Sequence, residues 1–289
     1  MNNVISATLE KYNPRNNSER ELAVKEIIQE IALSGLSHGG FFNKAAFYGG
    51  TCLRIFHGLP RFSEDLDFAL LEKDSNFDLS DYFPALRKEF LSYGIEINIE
   101  SKSKEHQGVQ SAFLKGNTLM LMMSFFPKSE EAKRVISNQK IKIKFEVDTN
   151  DPGGGISLLK YRTFPSFYEI RIFDEATLFA GKIHAIICRE FEGHVKGRDY
   201  YDYLFYIEKG TKINLKYLEN KLKNTGGKLE DDETLTIDKT KQLLRARFET
   251  VDFNLAKRDV VNFISNPDTL SSWGRELFIQ TIDHLYEVG

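Results

Sequence analysis

Between Phe47 and Leu70 the chain reads FYGGTCLRIFHGLPRFSEDLDFAL. A short apolar run stops at Gly49-Gly50-Thr51, and Asp65 and Asp67 follow with one leucine between them. Phe62, Leu66, Phe68 and Leu70 alternate with Ser63, Asp65 and Asp67, which predicts a strand carrying both aspartates and Ser63 on one face. Same-face residues two apart are ~7 Å from each other. Carboxylates at that distance repel unless a cation lies between them or one is protonated. Mg²⁺ is such a cation, because it takes oxygen ligands and is held by one or two carboxylates together with substrate phosphates. A solvated pair on an exposed edge is the other reading of the same spacing.

Neighbouring segments bear on that choice. Gly49-Gly50-Thr51 falls at a predicted strand-to-helix junction. Backbone N–H groups, the helix dipole and the Thr51 hydroxyl there suit a phosphate; a tight turn with Thr51 as an N-cap is the plainer alternative. In KIKFEVD (142–148) the apolar Ile143, Phe145 and Val147 alternate with Lys144, Glu146 and Asp148, which puts two more acids on one polar strand face. A phosphate turn, an aspartate pair and an acid on a later strand are the parts required for metal-assisted nucleotidyl transfer.

Bulk properties narrow the class. With 41% apolar residues, 23 Phe and 12 Tyr among 289 residues, the chain can bury a sizeable core. Basic and acidic side chains nearly balance, 39 against 42, which argues against coating nucleic acid by bulk charge and leaves room for a local basic patch. Cys52 and Cys188 have no metal or disulfide spacing and read as small residues of a reducing cytosol. The N-terminus lacks the pattern of a signal peptide. The longest apolar run, LMLMMSFF (119–126), is far short of the ~20 residues a membrane helix needs. A soluble, cytoplasmic protein is expected.

Along the chain, SERELAVKEIIQEIALSGL predicts a helix opening at Ser18 with Glu21 as the partner of a capping box, closed by Gly35, Gly39 and Gly40. KAAFYGG reads as a strand, TCLRIFHGL as a helix from Thr51, and LSDYFPALRKEFLSYG as a helix. IEINIES, TLMLMMSFF, IKIKFEVDT and SFYEIRIFD read as strands, with NDPGGG (150–155) a loop and boundary. From Glu175 onward almost every segment has helical period. The expected organisation is α+β: a mixed sheet with flanking helices and an N-terminal helix over 1–165, then a mainly helical domain over 166–289.

The stretch GGTCLR…RFSEDLDF resembles the nucleotidyltransferases of the DNA polymerase beta-like superfamily, with Glu146 matching the third acid and Asp148 in reserve. More narrowly it looks like the AbiEii group of abortive-infection toxins. That group also shows Lys-x-His-Ala-x-x-x-x-Arg and Arg-Asp-x-x-Asp, which stand here as KIHAIICR (182–189) and GRDYYDY (197–203). By themselves Lys182, Arg189, Arg198, Asp199 and Asp202 read equally as ion pairs on helix surfaces. The resemblance implies instead that Lys182 and Asp199 face the aspartate pair across a cleft that the C-terminal domain completes. Lys182 would bind a nucleotide phosphate, and Asp199 would orient Lys182 or act on the acceptor, a role Asp202 could share. Arg54 and Arg61 flank the phosphate turn and are phosphate contacts or structural ion pairs. His184 lies ~200° round a helix from Lys182 and reads as a packing residue.

The expected activity is Mg²⁺-dependent transfer of a nucleoside monophosphate from an NTP to an acceptor. Asp65, Asp67 and Glu146 would hold metal, and Gly49, Gly50 and Thr51 would cradle phosphates. The resemblance implies a toxin with a separately encoded antitoxin, and relatives that modify tRNA ends suggest tRNA or another RNA as acceptor. The alternatives are a nucleotidyltransferase acting on a small molecule or protein without a toxin role, and a non-catalytic nucleotide-binding module.

Overall fold

A computed structural model describes residues 5, 8–9, 12–14, 16–101, 108–117, 120–121, 125, 140–190 and 193–288. The architecture is α+β, as expected. The chain clusters into two compact units: Met1–Thr51 with Glu64–Asp151 and Leu158–Ile172, and Cys52–Ser63 with Pro152–Ser157 and Phe173–Gly289.

The first unit opens with α1 (Asn17–His38). Its N-cap is Asn16, whose side chain accepts the Glu19 N–H at 2.9 Å; the cap therefore lies two residues before the expected Ser18, with Glu19 taking the place foreseen for Glu21. Gly35, expected to close this helix, lies within it. A Cβ there would stand 2.9 Å from Glu89 Cβ and 3.3 Å from Leu86 Cα, so only glycine lets α3 (Phe83–Ser92) approach this closely. The helix ends at Gly39, and Gly40 takes the left-handed conformation at φ +75°.

Among the described residues seven strands form one mixed sheet in the order β3-β4-β5-β2-β1-β7-β6. They are β1 (Ala45–Tyr48), β2 (Leu66–Leu70), β3 (Asn98–Ser101), β4 (Val109–Asn117), β5 (Lys140–Asp148), β6 (Ser157–Arg162) and β7 (Tyr168–Phe173). β2 pairs antiparallel with β1 and parallel with β5, and β4 runs antiparallel to both β3 and β5. One sheet face is core: Phe68 sits edge-on to Phe41 and to Phe145, each at 4.9 Å between ring centroids, and all three are fully buried. The polar residues of β5 alternate with that core and point to the other face.

Three expectations change. β2 starts at Leu66, so Ser63 and Asp65 precede the strand rather than share its face with Asp67. On one side β2 loses its partner there, because β1 turns into helix after Tyr48, which is in register with Asp67. Met120, Leu121 and Phe125 are helical where TLMLMMSFF predicted a strand, and the rest of that segment lies outside the described residues. β4 and β6 were not foreseen. Ser111, Ala112 and Gly116 blur the alternation of β4, and its nine-residue pairing with β5 makes the strand.

The second unit is helical: α4 (Glu175–Cys188), α5 (Gly197–Glu208), α6 (Leu215–Thr225), α7 (Ile237–Thr250), α8 (Phe253–Val260) and α9 (Arg275–Thr281). Its core is aromatic. Phe278 stacks on Phe253 at 4.6 Å, and Phe248 meets Tyr203 at 5.4 Å. α2 (Gly49–His57) starts in the first unit and ends in the second. Among the described residues no helix is long and apolar enough to cross a membrane.

Truncating the ring at the centre of the first core, Phe68→Ala, should cost about 3–5 kcal/mol. Urea unfolding followed by tryptophan-independent far-UV circular dichroism measures this, and a loss under 1 kcal/mol would contradict the packing.

Candidate active site

In the first unit the sheet face opposite that core carries a row of polar side chains set by strand register. Tyr48 on β1 lies beside Asp67 on β2, Asp67 beside Glu146 on β5, and Glu146 beside Ser111 on β4. Cross-strand partners share a face, so the Asp67 and Glu146 carboxylates project together. Asp148, the reserve candidate, is on the same face one step along, opposite Ala69. Tyr48 has its hydroxyl pushed far up, first by burial and then by Asp67, Asp148, Asp151 and Glu146. It stays a neutral phenol amid a concentration of acids, and in the sequence a lone tyrosine before Gly-Gly carries no motif that would mark it.

Gly49 is tied to this row. Its φ is +79°, and a Cβ would overlap the Asp67 carboxylate. Both facts require glycine there. The helix starts at Gly49, so Thr51 sits in its first turn rather than at its cap. Thr51 is fully buried and its hydroxyl donates to the Asp65 carbonyl at 2.5 Å. That hydroxyl therefore positions the segment leading into β2, and what the turn offers a phosphate is backbone N–H groups.

Glu146 also pairs with Lys144 at 2.6 Å. Among the described residues no group of three or more His, Cys, Asp and Glu converges as a metal cluster. The donors on the row are hard carboxylate oxygens on adjacent strands, which is the chemistry Mg²⁺ uses when phosphates and water complete its shell. The residues fit the ion.

In the second unit, α4 is started by Asp174, whose side chain accepts the Thr177 N–H at 2.8 Å. Two turns later it presents Lys182. α5 begins at Gly197, where a Cβ would overlap the Ala256 carbonyl of α8, and the Arg198 N–H donates to Asp259 at 3.2 Å. Asp199 and Asp202 then share one face of α5. Lys182 Nζ lies 2.8 Å from Asp199 Oδ1 and 2.8 Å from Asp202 Oδ2. Arg61 grips Asp202 with two bonds, Nε to Oδ1 at 2.6 Å and Nη2 to Oδ2 at 2.7 Å, and Arg189 pairs with the other oxygen of Asp199. The result is a chain of alternating charge, Arg189–Asp199–Lys182–Asp202–Arg61, with Asp202 fully buried and Arg61 3% exposed.

Burial alone would drive the Lys182 ammonium to lose its proton; Asp199 and Asp202 reverse that and hold its pKa above the ordinary value. Burial likewise opposes an ionised Asp199, and Lys182 with Arg189 brings its pKa below the ordinary value. The five groups pair with one another, and Arg61, read as a phosphate contact or a structural ion pair, is a buried partner of Asp202. Arg54 donates to the carbonyls of Leu59 and Pro60 at 3.1 and 2.8 Å and lies over Phe62, so it closes the end of α2. His184 Nε2 is 2.7 Å from Thr225 Oγ1, and burial followed by the charges of Lys221 and Arg189 lowers its pKa to about 4. It is neutral at pH 7.

The fold is that of nucleotidyltransferases. It is similar to MenT4, a nucleotidyltransferase toxin from Mycobacterium tuberculosis, with a TM-score of 0.51 at 13% identity, covering 97% of this chain and 88% of that one. JHP933 from Helicobacter pylori matches at 16% identity and a TM-score of 0.45, covering 90% of this chain and 92% of that one. No curated protein matches. The chain belongs to the AbiEii family of nucleotidyl transferase toxins of type IV toxin–antitoxin systems, whose model matches residues 31–279. It is a nucleotidyltransferase, as the resemblance in its motifs implied.

Removing one end of the ionic chain, Arg61→Ala, leaves a buried aspartate short of its partner and should cost about 3–5 kcal/mol in thermal or urea unfolding; no loss would place the pair at the surface. Because the folded pKa of Asp199 lies below its ordinary 3.8, its contribution is complete above that value and disappears as pH falls through the lower folded one. Lys182, raised above 10.5, contributes fully below that value and fails only in stronger alkali. Urea midpoints should therefore start to fall as pH drops below about 6.5, where unfolded His184 takes up a proton that the folded state refuses until about pH 4, and fall further below about pH 4 as Asp199 is protonated. Asp199→Asn should flatten the acid limb.

Proposed function

We propose that the protein transfers a nucleoside monophosphate from an NTP to the hydroxyl of an RNA acceptor with Mg²⁺, and that this is its toxic activity. The observation that carries the reading is the register of β2 with β5, which sets Asp67 beside Glu146 while the Asp67 carboxylate packs on Gly49 at the start of α2. Carboxylates for a metal and backbone N–H groups for a phosphate are thus adjacent within one unit.

Asp67 and Glu146, joined by Asp65 from the segment ahead of β2, would hold the metal. Bound there, Mg²⁺ supplies charge neutralisation on the triphosphate and lowers the pKa of the attacking hydroxyl. The N–H groups of Gly49, Gly50 and Thr51 would bind phosphate oxygens. The acceptor oxygen attacks the α-phosphorus, the bond to the β-phosphate oxygen breaks, and pyrophosphate leaves in line. Glu146 is preferred to Asp148 because it is the one in register with Asp67. Family membership supports an antitoxin as the protein's counterpart in the cell.

Purified protein incubated with Mg²⁺, each labelled NTP and total RNA should move label into a discrete RNA band. Asp67→Ala should lower that rate about 100- to 1000-fold, the equivalent of losing several kcal/mol of transition-state stabilisation. Label that appears equally with Asp67→Ala, or none with any NTP, would reject the reading.

A further inference from the structure

The sheet face opposite the core holds more than the carboxylate row. Away from Glu146, β5 carries Lys144, Lys142 and Lys140 at alternate positions, all on the side opposite the buried Ile141 and Ile143. β4 adds Phe113 opposite Lys144, Lys115 opposite Lys142 and Asn117 opposite Lys140. The Lys142 ammonium lies over the Phe113 ring at 3.8 Å from its centroid, with Lys115 at 5.8 Å from the same ring. Lys115 pairs with Glu100 of β3, and Lys144 pairs with Glu146. Among the described residues of this patch, four lysines thus meet two glutamates, and the excess of positive charge lies at the Lys140–Lys142 end. Like charges on neighbouring same-face positions repel in a sheet. A bound polyanion removes that repulsion.

We propose that this lysine row, with Phe113 among its cations, is the track on which a single-stranded RNA acceptor lies. Alternate side chains on a strand recur every ~7 Å, so successive lysines meet successive phosphates of an extended strand. The Phe113 ring holds the Lys142 ammonium over its face and so fixes that cation within the row. The track leads along β5 to Glu146 and Asp67, so a strand bound on it brings its terminal hydroxyl to the carboxylates. The chain's net charge of −3 is compatible with this, because the positive charge is confined to one strip. The inference rests on the function proposed above for those carboxylates, but it concerns different residues and is tested separately.

The test is equilibrium binding of a labelled 12-nucleotide single-stranded RNA of mixed sequence with a free 3′ hydroxyl, measured across a range of salt concentrations. Wild type is compared with Lys140→Ala/Lys142→Ala and Lys140→Arg/Lys142→Arg, and with Lys212→Ala/Lys216→Ala in the second unit as a charge-matched control. Each single-strand phosphate contact contributes about 0.7 to the slope of log K against log salt, so the alanine pair should lower the slope by about 1.4. It should also weaken binding at least about 10-fold at low salt, while the arginine pair and the control retain the slope. Unchanged slope and affinity in the alanine pair, or no binding by wild type, overturns the track. Mg²⁺-dependent NTP binding measured alongside separates the two ideas: lost RNA binding with NTP binding intact sinks only the track. RNA binding that depends on the lysines, without any NTP binding, sinks only the transferase reading. Equal binding of a blunt RNA duplex, insensitive to the alanine pair, would also overturn the proposal.

Discussion

Parallel pairing of β2 with β5 is the constraint on which the candidate site depends. It is a backbone interaction, but it decides which side chains are neighbours: Leu66 meets Phe145, Asp67 meets Glu146 and Phe68 meets Val147. A slip of one residue would turn Asp67 into the core and Phe68 into solvent. The aromatic cluster around Phe68 therefore enforces the register that brings two carboxylates together, and burial on one face of the sheet becomes electrostatics on the other. Gly49 adds a steric condition, since the β1–α2 turn can approach Asp67 only where no Cβ intervenes.

The second unit answers a different problem. Five ionised groups are removed partly or wholly from water, and each is acceptable because its neighbours carry the opposite charge. Arg61 and Arg189 stand at the two ends of the chain and leave it with one surplus positive charge. Lys182 sits in the middle, bound by two aspartates from one face of α5, so its ammonium is fixed in position and in protonation state. An arrangement of this kind adds little to net stability, yet loss of one member strands a buried charge. Its value lies in holding a lysine charged at a defined place.

For the RNA track proposed above, net charge is a poor guide. The lysines of β4 and β5 are gathered on one face by alternation, while the balancing acids are spread over the chain or lie toward the Asp148 end of the same strand. Screening over about 8–10 Å at physiological salt means that an approaching phosphate responds to the local strip and not to the total.

Much was legible before any coordinates. Apolar alternation in IKIKFEVD, the Gly-Gly turn after AAFY, the helical period after Glu175 and the order of four motifs identify the fold class and the family, because these signals are local. Glu146 was legible as an acid on a strand, and the resemblance put it ahead of Asp148 without deciding between them; the register that pairs it with Asp67 adds support from the structure. The alternation of RFSEDLDF suggested one face for Ser63, Asp65 and Asp67, whereas a strand needs a partner and β1 ends at Tyr48. Arg61 beside the phosphate turn and Asp202 on a helix 141 residues later carry no mark of each other in the sequence. Composition and periodicity thus determined the fold class, and the resemblance of the motifs to a known family implied what kind of protein this is. Which charges meet, which are buried and which remain for a ligand was decided by tertiary structure alone, because ion pairing and strand register depend on distances in space between residues far apart in the chain.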